Sequence, residues 1–247
     1  MNKLLLPLFI ILLLVIGAGA FFTGAQRQKP SPSPTISPTP TVEPSPTLSA
    51  SPTASPKATK TPTPTPTPTP ISQTMTLSAS SSLDGFQSSN GGGNTGIEIR
   101  SGRNVNLITR GFVSFDISGI PTGKTIDRAT LRLYQTSITG NPYGVGGSLK
   151  VDHLDYGSSF ENADYNALSL SSSFGTLTSN AVIEWKDLDV TDRLKNDIAA
   201  GRTRSQYRLH FATESIGGDV IGDFANFESA DNSKGTGNTP QLVVKYY

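Results

Sequence analysis

The chain contains no cysteine, so disulfides, thiolate zinc sites and a lipid-modified cysteine anchor are all excluded. It has only two histidines, which leaves little material for imidazole metal sites or general-base catalysis. There is a single tryptophan, Trp185. Neither sign of charge predominates: 20 Lys and Arg stand against 19 Asp and Glu, a net charge of +1. The basic residues are scattered, and the basic stripe that a nucleic-acid surface needs is missing. No repeat of 20–50 residues is visible. Stability therefore has to come from packing, hydrogen bonds and, where one is held, a hard cation.

Proline is present in quantity but unevenly. Fourteen of the 18 prolines fall between Arg27 and Thr74, ending in the Thr-Pro repeat Thr61 to Pro70. Proline fixes φ and removes a donor, so residues 27–74 are expected to form a Pro/Thr/Ser-rich disordered linker without packed structure. In polyproline II geometry this stretch is a stalk of roughly 140 Å, with hydroxyls suited to O-glycosylation. Ahead of it, Met1-Asn2-Lys3 is a short positive region and Leu4 to Ile16 is almost wholly apolar. Ala18-Gly19-Ala20 and Thr23-Gly24-Ala25 both have the form that signal peptidase accepts. Leu4 to Phe22 is also long enough to span a membrane. Residues 1–26 are thus a signal peptide or an N-terminal membrane anchor. Under either alternative the rest is expected outside the membrane, secreted or at the cell surface.

Residues 75–247 carry the globular pattern. Leu107, Thr109, Gly111, Val113, Phe115 and Ile117 alternate with Arg110, Ser114 and Asp116. Ala129, Leu131 and Leu133 alternate with Thr130, Arg132 and Tyr134. Further strands are expected at Leu149–Leu154, Val182–Val190, Tyr207–Phe211, Phe224–Glu228 and Leu242–Tyr246. Asp192 to Ala200 reads as the one short helix, entered at Thr191 or Asp189 and stopped by Gly201. Many short strands with one helix predict an all-β, antiparallel sandwich of jelly-roll type.

A family resemblance runs through this region. Its marks are Asp84-Gly85-Phe86 with Asn94-Thr95-Gly96, then Arg110 to Ser118, then Ile120-Pro121 leading to Ala129 to Tyr134. They continue with Trp185 before Asp189-Val190-Thr191-Asp192, Phe227-Glu228-Ser229, and Pro240 to Val244. In this order they resemble the DNRLRE domain, which overlaps carbohydrate-binding module family 96. The resemblance implies a non-catalytic jelly-roll module on secreted or surface proteins, with a polysaccharide as partner.

The residues themselves offer candidate sites. Arg208 and His210 share a strand face, a pairing suited to uronate carboxylates because guanidinium donates paired hydrogen bonds. With Arg100, Arg103 and Lys150 as further polar contacts, and Tyr143 and Tyr156 as stacking platforms, they make a candidate surface for an anionic polysaccharide. Trp185 is either a packing residue or a pyranose platform. His153 is expected to be a buried or rim histidine with a backbone partner rather than a metal ligand. Asp84 and Glu228, near the two ends of the domain, could converge on a structural calcium. For hydrolysis the only compact acidic groups are Glu161 with Asp164, and Glu184 with Asp187 or Asp189. A lyase would need Arg208 and His210 in catalytic roles. The alternative to sugar binding is a structural or adhesive envelope domain.

Overall fold

A computed structural model describes residues 70–247. The apolar leader and almost all of the Pro/Thr/Ser stretch lie outside the described residues, as do the expectations attached to them. Twelve strands follow: β1 (Gln73–Ser78), β2 (Gly85–Ser88), β3 (Gly93–Asn94), β4 (Ile99–Arg103), β5 (Ile108–Asp116) and β6 (Ile126–Thr139), then β7 (Leu149–Leu154), β8 (Ser171–Thr178), β9 (Trp185–Asp189), β10 (Arg204–Phe211), β11 (Asp223–Phe227) and β12 (Gln241–Tyr246). Two helices interrupt them, α1 (Pro142–Gly146) and α2 (Thr191–Ala199). The expected helix is α2, and Gly201 just beyond it takes a φ of 68°, the left-handed stop that a Cβ would strain. Helix α1 is an addition. Pro142 starts it with φ already set, and Asn141 Oδ1 accepts from the Gly144 amide.

All the strand pairings are antiparallel, and together they form one curled, sandwich-like sheet. The curl turns on β6, whose 14 residues make it the longest strand. Its first part pairs with β12 and β9, in the sheet that β1 completes. Its last part pairs with β11, across a register shift at Asn226 and Phe227 that bends the ladder. The second layer is then built by β5, β10, β7 and β8, with β2 and β4 also on β5.

Alternation decides which side chains fill the space between the layers. Val113 and Phe115 from β5, Ala129, Leu131 and Leu133 from β6, Leu209 from β10 and Val244 from β12 are all fully buried in one cluster. Leu194 of α2 joins them. A second cluster lies on the other side of β5. There Phe112 packs with Leu83, Leu154 and Tyr156, and the Phe112 and Tyr156 rings meet edge-on at 5.6 Å. Ser114, expected on the face opposite the apolar parity, is buried with Phe112 for this reason. Residues 155–168 fold back over that face and cover it.

The described core draws on no residue before Met75. Residues 70–247 alone are therefore expected to unfold in one cooperative transition. Phe115→Ala is expected to cost about 3–5 kcal/mol in a urea titration. A neutral substitution would contradict the inward facing of β5.

Candidate functional site

The face that remains open is the outer side of the sheet formed by β1, β12, β6 and β9. Because Leu131 and Leu133 point inward, Arg128, Thr130, Arg132 and Tyr134 of β6 point outward. Leu131 pairs with Leu188 on β9, so Trp185, Asp187 and Asp189 lie on the outer side as well. On β12 the inward Leu242 and Val244 leave Gln241, Val243 and Lys245 outside. These residues frame an open groove of about 370 Å³, lined by Thr74, Arg128, Thr130, Arg132, Asp187, Val243 and Lys245.

Trp185 is half-buried on the same face, paired with Tyr134 and next to the lining residue Arg132. The Tyr134 ring meets it at 5.5 Å and a steep angle, and the Arg132 guanidinium lies 4.7 Å from its ring centre. Arg132 Nε also donates to Asp187 Oδ1 at 2.9 Å. The indole is thereby held by an aromatic edge and a cation while part of it stays open to solvent. Arg128 and Lys245 have only loose counter-ions, Asp189 at 3.7 Å and Asp127 at 3.2 Å, all on exposed side chains. Exposed pairs of this kind are worth about 0–1 kcal/mol, so a ligand anion can compete for the cations. Three cations and one carboxylate line the groove.

The sequence candidates for a binding surface fall elsewhere, and two of them are buried. Arg208 and His210 do share a face, but the 155–168 segment covers Arg208, which is 7% exposed. Its Nε and one terminal nitrogen donate to Asp152 Oδ2 at 3.0 and 2.7 Å, and the other nitrogen donates to the Tyr165 and Ala167 carbonyls. A guanidinium spent in this way has nothing left for a uronate. His210 Nε2 faces Asp152 Oδ1 at 3.1 Å, and the bond raises the imidazole's pKa against the opposing effect of burial. Burial would also raise Asp152, but bonds from His210, the Ser173 amide and Arg208 hold it well below the usual carboxylate range. Tyr156 is not a platform either: it is 8% exposed and donates to the Leu83 carbonyl.

The remaining candidates are dispersed. Tyr143, on α1, packs on Phe211 and donates to Gln135 Oε1. Lys150 Nζ reaches Thr176 Oγ1 at 2.7 Å. Arg103 pairs with Asp223 at 3.3 Å and with Ser215. Arg100 pairs with Glu98 and lies between Phe86 and Phe224. His153 is buried, but its partner is a carboxylate rather than a backbone group: Asp197 of α2 lies 2.8 Å from Nε2.

Comparison with known families bears directly on a surface of this kind. The model for carbohydrate-binding module family 96 matches residues 74–246. The chain belongs to this family. A search of curated proteins returns no match. The match takes in every strand but the first residue of β1, so the groove, Trp185 and its neighbours are all part of the family 96 module.

In this module the acidic pairs weighed for hydrolysis are engaged locally. Asp164 accepts from the Glu161 amide at 2.7 Å and closes a tight turn, Glu184 pairs with Lys186, and Asp187 with Arg132. Ser173 Oγ and Asp152 Oδ1 both approach the same nitrogen of His210, Nε2, so no serine–histidine–aspartate relay is formed.

Asp84 and Glu228 both serve the 228–236 loop. Glu228 accepts from the Ser229, Lys234 and Thr236 amides and from the Thr236 hydroxyl, which uses both oxygens. Asp84 Oδ2 accepts from the Ala230 amide, while its buried Oδ1 has no protein partner. Calcium needs six to eight oxygens, and no group of three or more His, Asp or Glu gathers as a metal cage among the described residues. Burial pushes the Asp84 carboxyl up to about 7, against the pull of the Ala230 amide. A folded-state pKa above the unfolded one gives stability that is complete below about pH 4 and is lost as pH rises through about 7. Relative to Asp84→Asn, which does not titrate, the wild type is expected to lose up to about 4 kcal/mol between pH 4 and 8. Parallel profiles in chelator would contradict this. Calcium added at pH 7 checks the ion separately: a rise in Tm that Asp84→Asn abolishes would assign it to Asp84, and an unchanged Tm would leave both carboxylates as loop acceptors.

Proposed function

We propose that this module binds an acidic polysaccharide across the outer face of the β1–β12–β6–β9 sheet, with Trp185 as the stacking platform. The observation that carries the reading is the partly open indole with Arg132 against it, on the face where Arg128 and Lys245 line the adjoining groove. The C–H face of a pyranose ring packs on an indole, and cations bracket ring carboxylates at either side. Membership of family 96 supports the carbohydrate as partner. The anionic preference rests on Arg128, Arg132 and Lys245 against a single lining carboxylate. The reading has no catalytic step. In this proposal the leader exports the chain and holds it at the membrane when uncleaved, and the Pro/Thr/Ser stalk sets the module off from the cell surface.

Affinity electrophoresis in gels containing alginate, pectin or a neutral glucan tests this reading. Retardation by the two uronates is expected, falling several-fold as salt rises because such charges are screened over about 8 Å at physiological ionic strength. Arg132→Ala and Lys245→Ala are each expected to reduce it, with unchanged Tm. Retardation by the neutral glucan alone would reject the anionic preference. No retardation in any gel would favour a structural envelope domain.

A further inference from the structure

A second concave site lies apart from the Trp185 face, where β2, β4 and β11 meet the loop that precedes β11. It is a cleft of about 340 Å³ whose lining includes Phe86, Arg100, Phe224, Asn90, Val220 and Ile221. We propose that it is a subsite for an acetylated sugar, so that the module carries two binding sites of different chemistry.

Three observations carry the inference. The first concerns charge. Arg100 lies between two rings, 5.0 Å from the centre of Phe86 and 5.2 Å from that of Phe224. Its Nε donates to Asn226 Oδ1 at 3.1 Å, and it pairs with Glu98, which is 2% exposed and also meets Lys234 at 2.9 Å. The guanidinium is thus tied to a buried carboxylate, shared with Lys234, that an incoming anion would have to displace. Held by two rings, Asn226 and Glu98, it lends the cleft a fixed wall rather than a free charge, suited to an uncharged group.

The second concerns apolar surface. Val220 is 75% exposed and Ile221 68%, side by side at the mouth of the cleft, with Ile216 at 59% nearby in the same loop. The loop is held in this form. Asp219 Oδ1 accepts from the Ile221 and Gly222 amides at 2.9 and 2.8 Å, the Asp219 carbonyl accepts from Val105, and Gly217 donates to the Asn104 carbonyl. A fixed loop that presents two large aliphatic side chains to water marks a surface built to cover something apolar.

The third concerns the polar groups between these walls. Asn90 Oδ1 accepts from the Gly92 amide, and Asn104 Oδ1 accepts from Asn106 and Leu107. With the oxygens committed, each side chain offers a ligand its amide Nδ2, a donor. An acetyl group matches the set: its carbonyl oxygen takes an asparagine donor and its methyl group lies against Val220 and Ile221. A sugar hydroxyl in its place leaves the aliphatic pair wet.

Calorimetry on the purified chain tests this with tri-N-acetylchitotriose against cellotriose, and with O-acetylated against deacetylated xylotriose. The first pair differs by acetamido groups in place of hydroxyls and the second by acetyl esters, and neither carries charge. The acetylated member of at least one pair is expected to bind ten-fold or more tightly than its partner, and which pair does so identifies an amide-linked or an ester-linked source. The double variant Val220→Ser/Ile221→Ser, at exposed positions and with unchanged Tm, is expected to remove that preference. Trp185→Ala is expected to leave it intact, so failure of the Trp185 reading and failure of this one are separable. Equal affinity within both pairs, no binding to either acetylated sugar, or a preference that survives the double variant would overturn the proposal.

Discussion

Replacing Arg208 by alanine is expected to destabilise the module by about 3–5 kcal/mol, the usual cost of removing one partner from a buried ion pair. Arg208 is 7% exposed and Asp152 2%, and the pair meets at 2.7 Å. The truncation would strand the Asp152 carboxylate and leave the Tyr165 and Ala167 carbonyls without their donor. Those carbonyls belong to the segment that covers Phe112, so loss of the clamp should also loosen that lid. Lysine is a poor substitute, since one ammonium cannot reproduce paired donation to a carboxylate while also bridging two carbonyls. Equilibrium denaturation in urea checks the magnitude. A change below about 1 kcal/mol would mean that the guanidinium stands in solvent, as the sequence pattern alone suggests.

Replacing Trp185 by alanine is expected to produce the largest loss of binding of any single substitution on the outer face. Aromatic anchors at the centre of an interface typically cost about 2 kcal/mol or more when truncated, which is roughly thirty-fold in affinity. The indole here also orients Arg132, 4.7 Å from its centre, so the substitution removes the platform and frees the cation beside it. Since Trp185 is half-buried and lies outside the core clusters, the fold should tolerate the change. Calorimetry with a uronate oligosaccharide, alongside a thermal melt, separates the two effects. Undiminished affinity would move the site away from this face.

Much of the sandwich was legible from alternation alone. Phe115, Leu131, Leu133 and Val244 are core residues because each stands on the apolar parity of its strand, and the Trp185 strand and the helix after it lie close to where the pattern puts them. The strands β1 to β4 and β8 were not legible. Their sequences, such as Ser171 to Thr178, are rich in Ser, Thr and Gly, and their apolar residues are too few to show a period. The site divides in a similar way. Arg208 and His210 do share a face, but nothing local says that residues 155–168 fold back over it. Arg128, Arg132 and Lys245 were missed as a group because they come together only when β6, β12 and β9 pair. The alternation of Arg132 and Tyr134 with Leu131 and Leu133 was nonetheless a usable signal, as it already turns those side chains away from the core.

The single tryptophan gives the most direct test of the account. Every photon of indole emission from this chain reports on Trp185, and so on the outer face beside Arg132 and Tyr134. Titrating the chain with alginate oligosaccharides while following that emission is predicted to give a saturable change in intensity and wavelength, with the midpoint that calorimetry finds. Binding seen by calorimetry with no change in the indole signal would contradict a glycan site at Trp185.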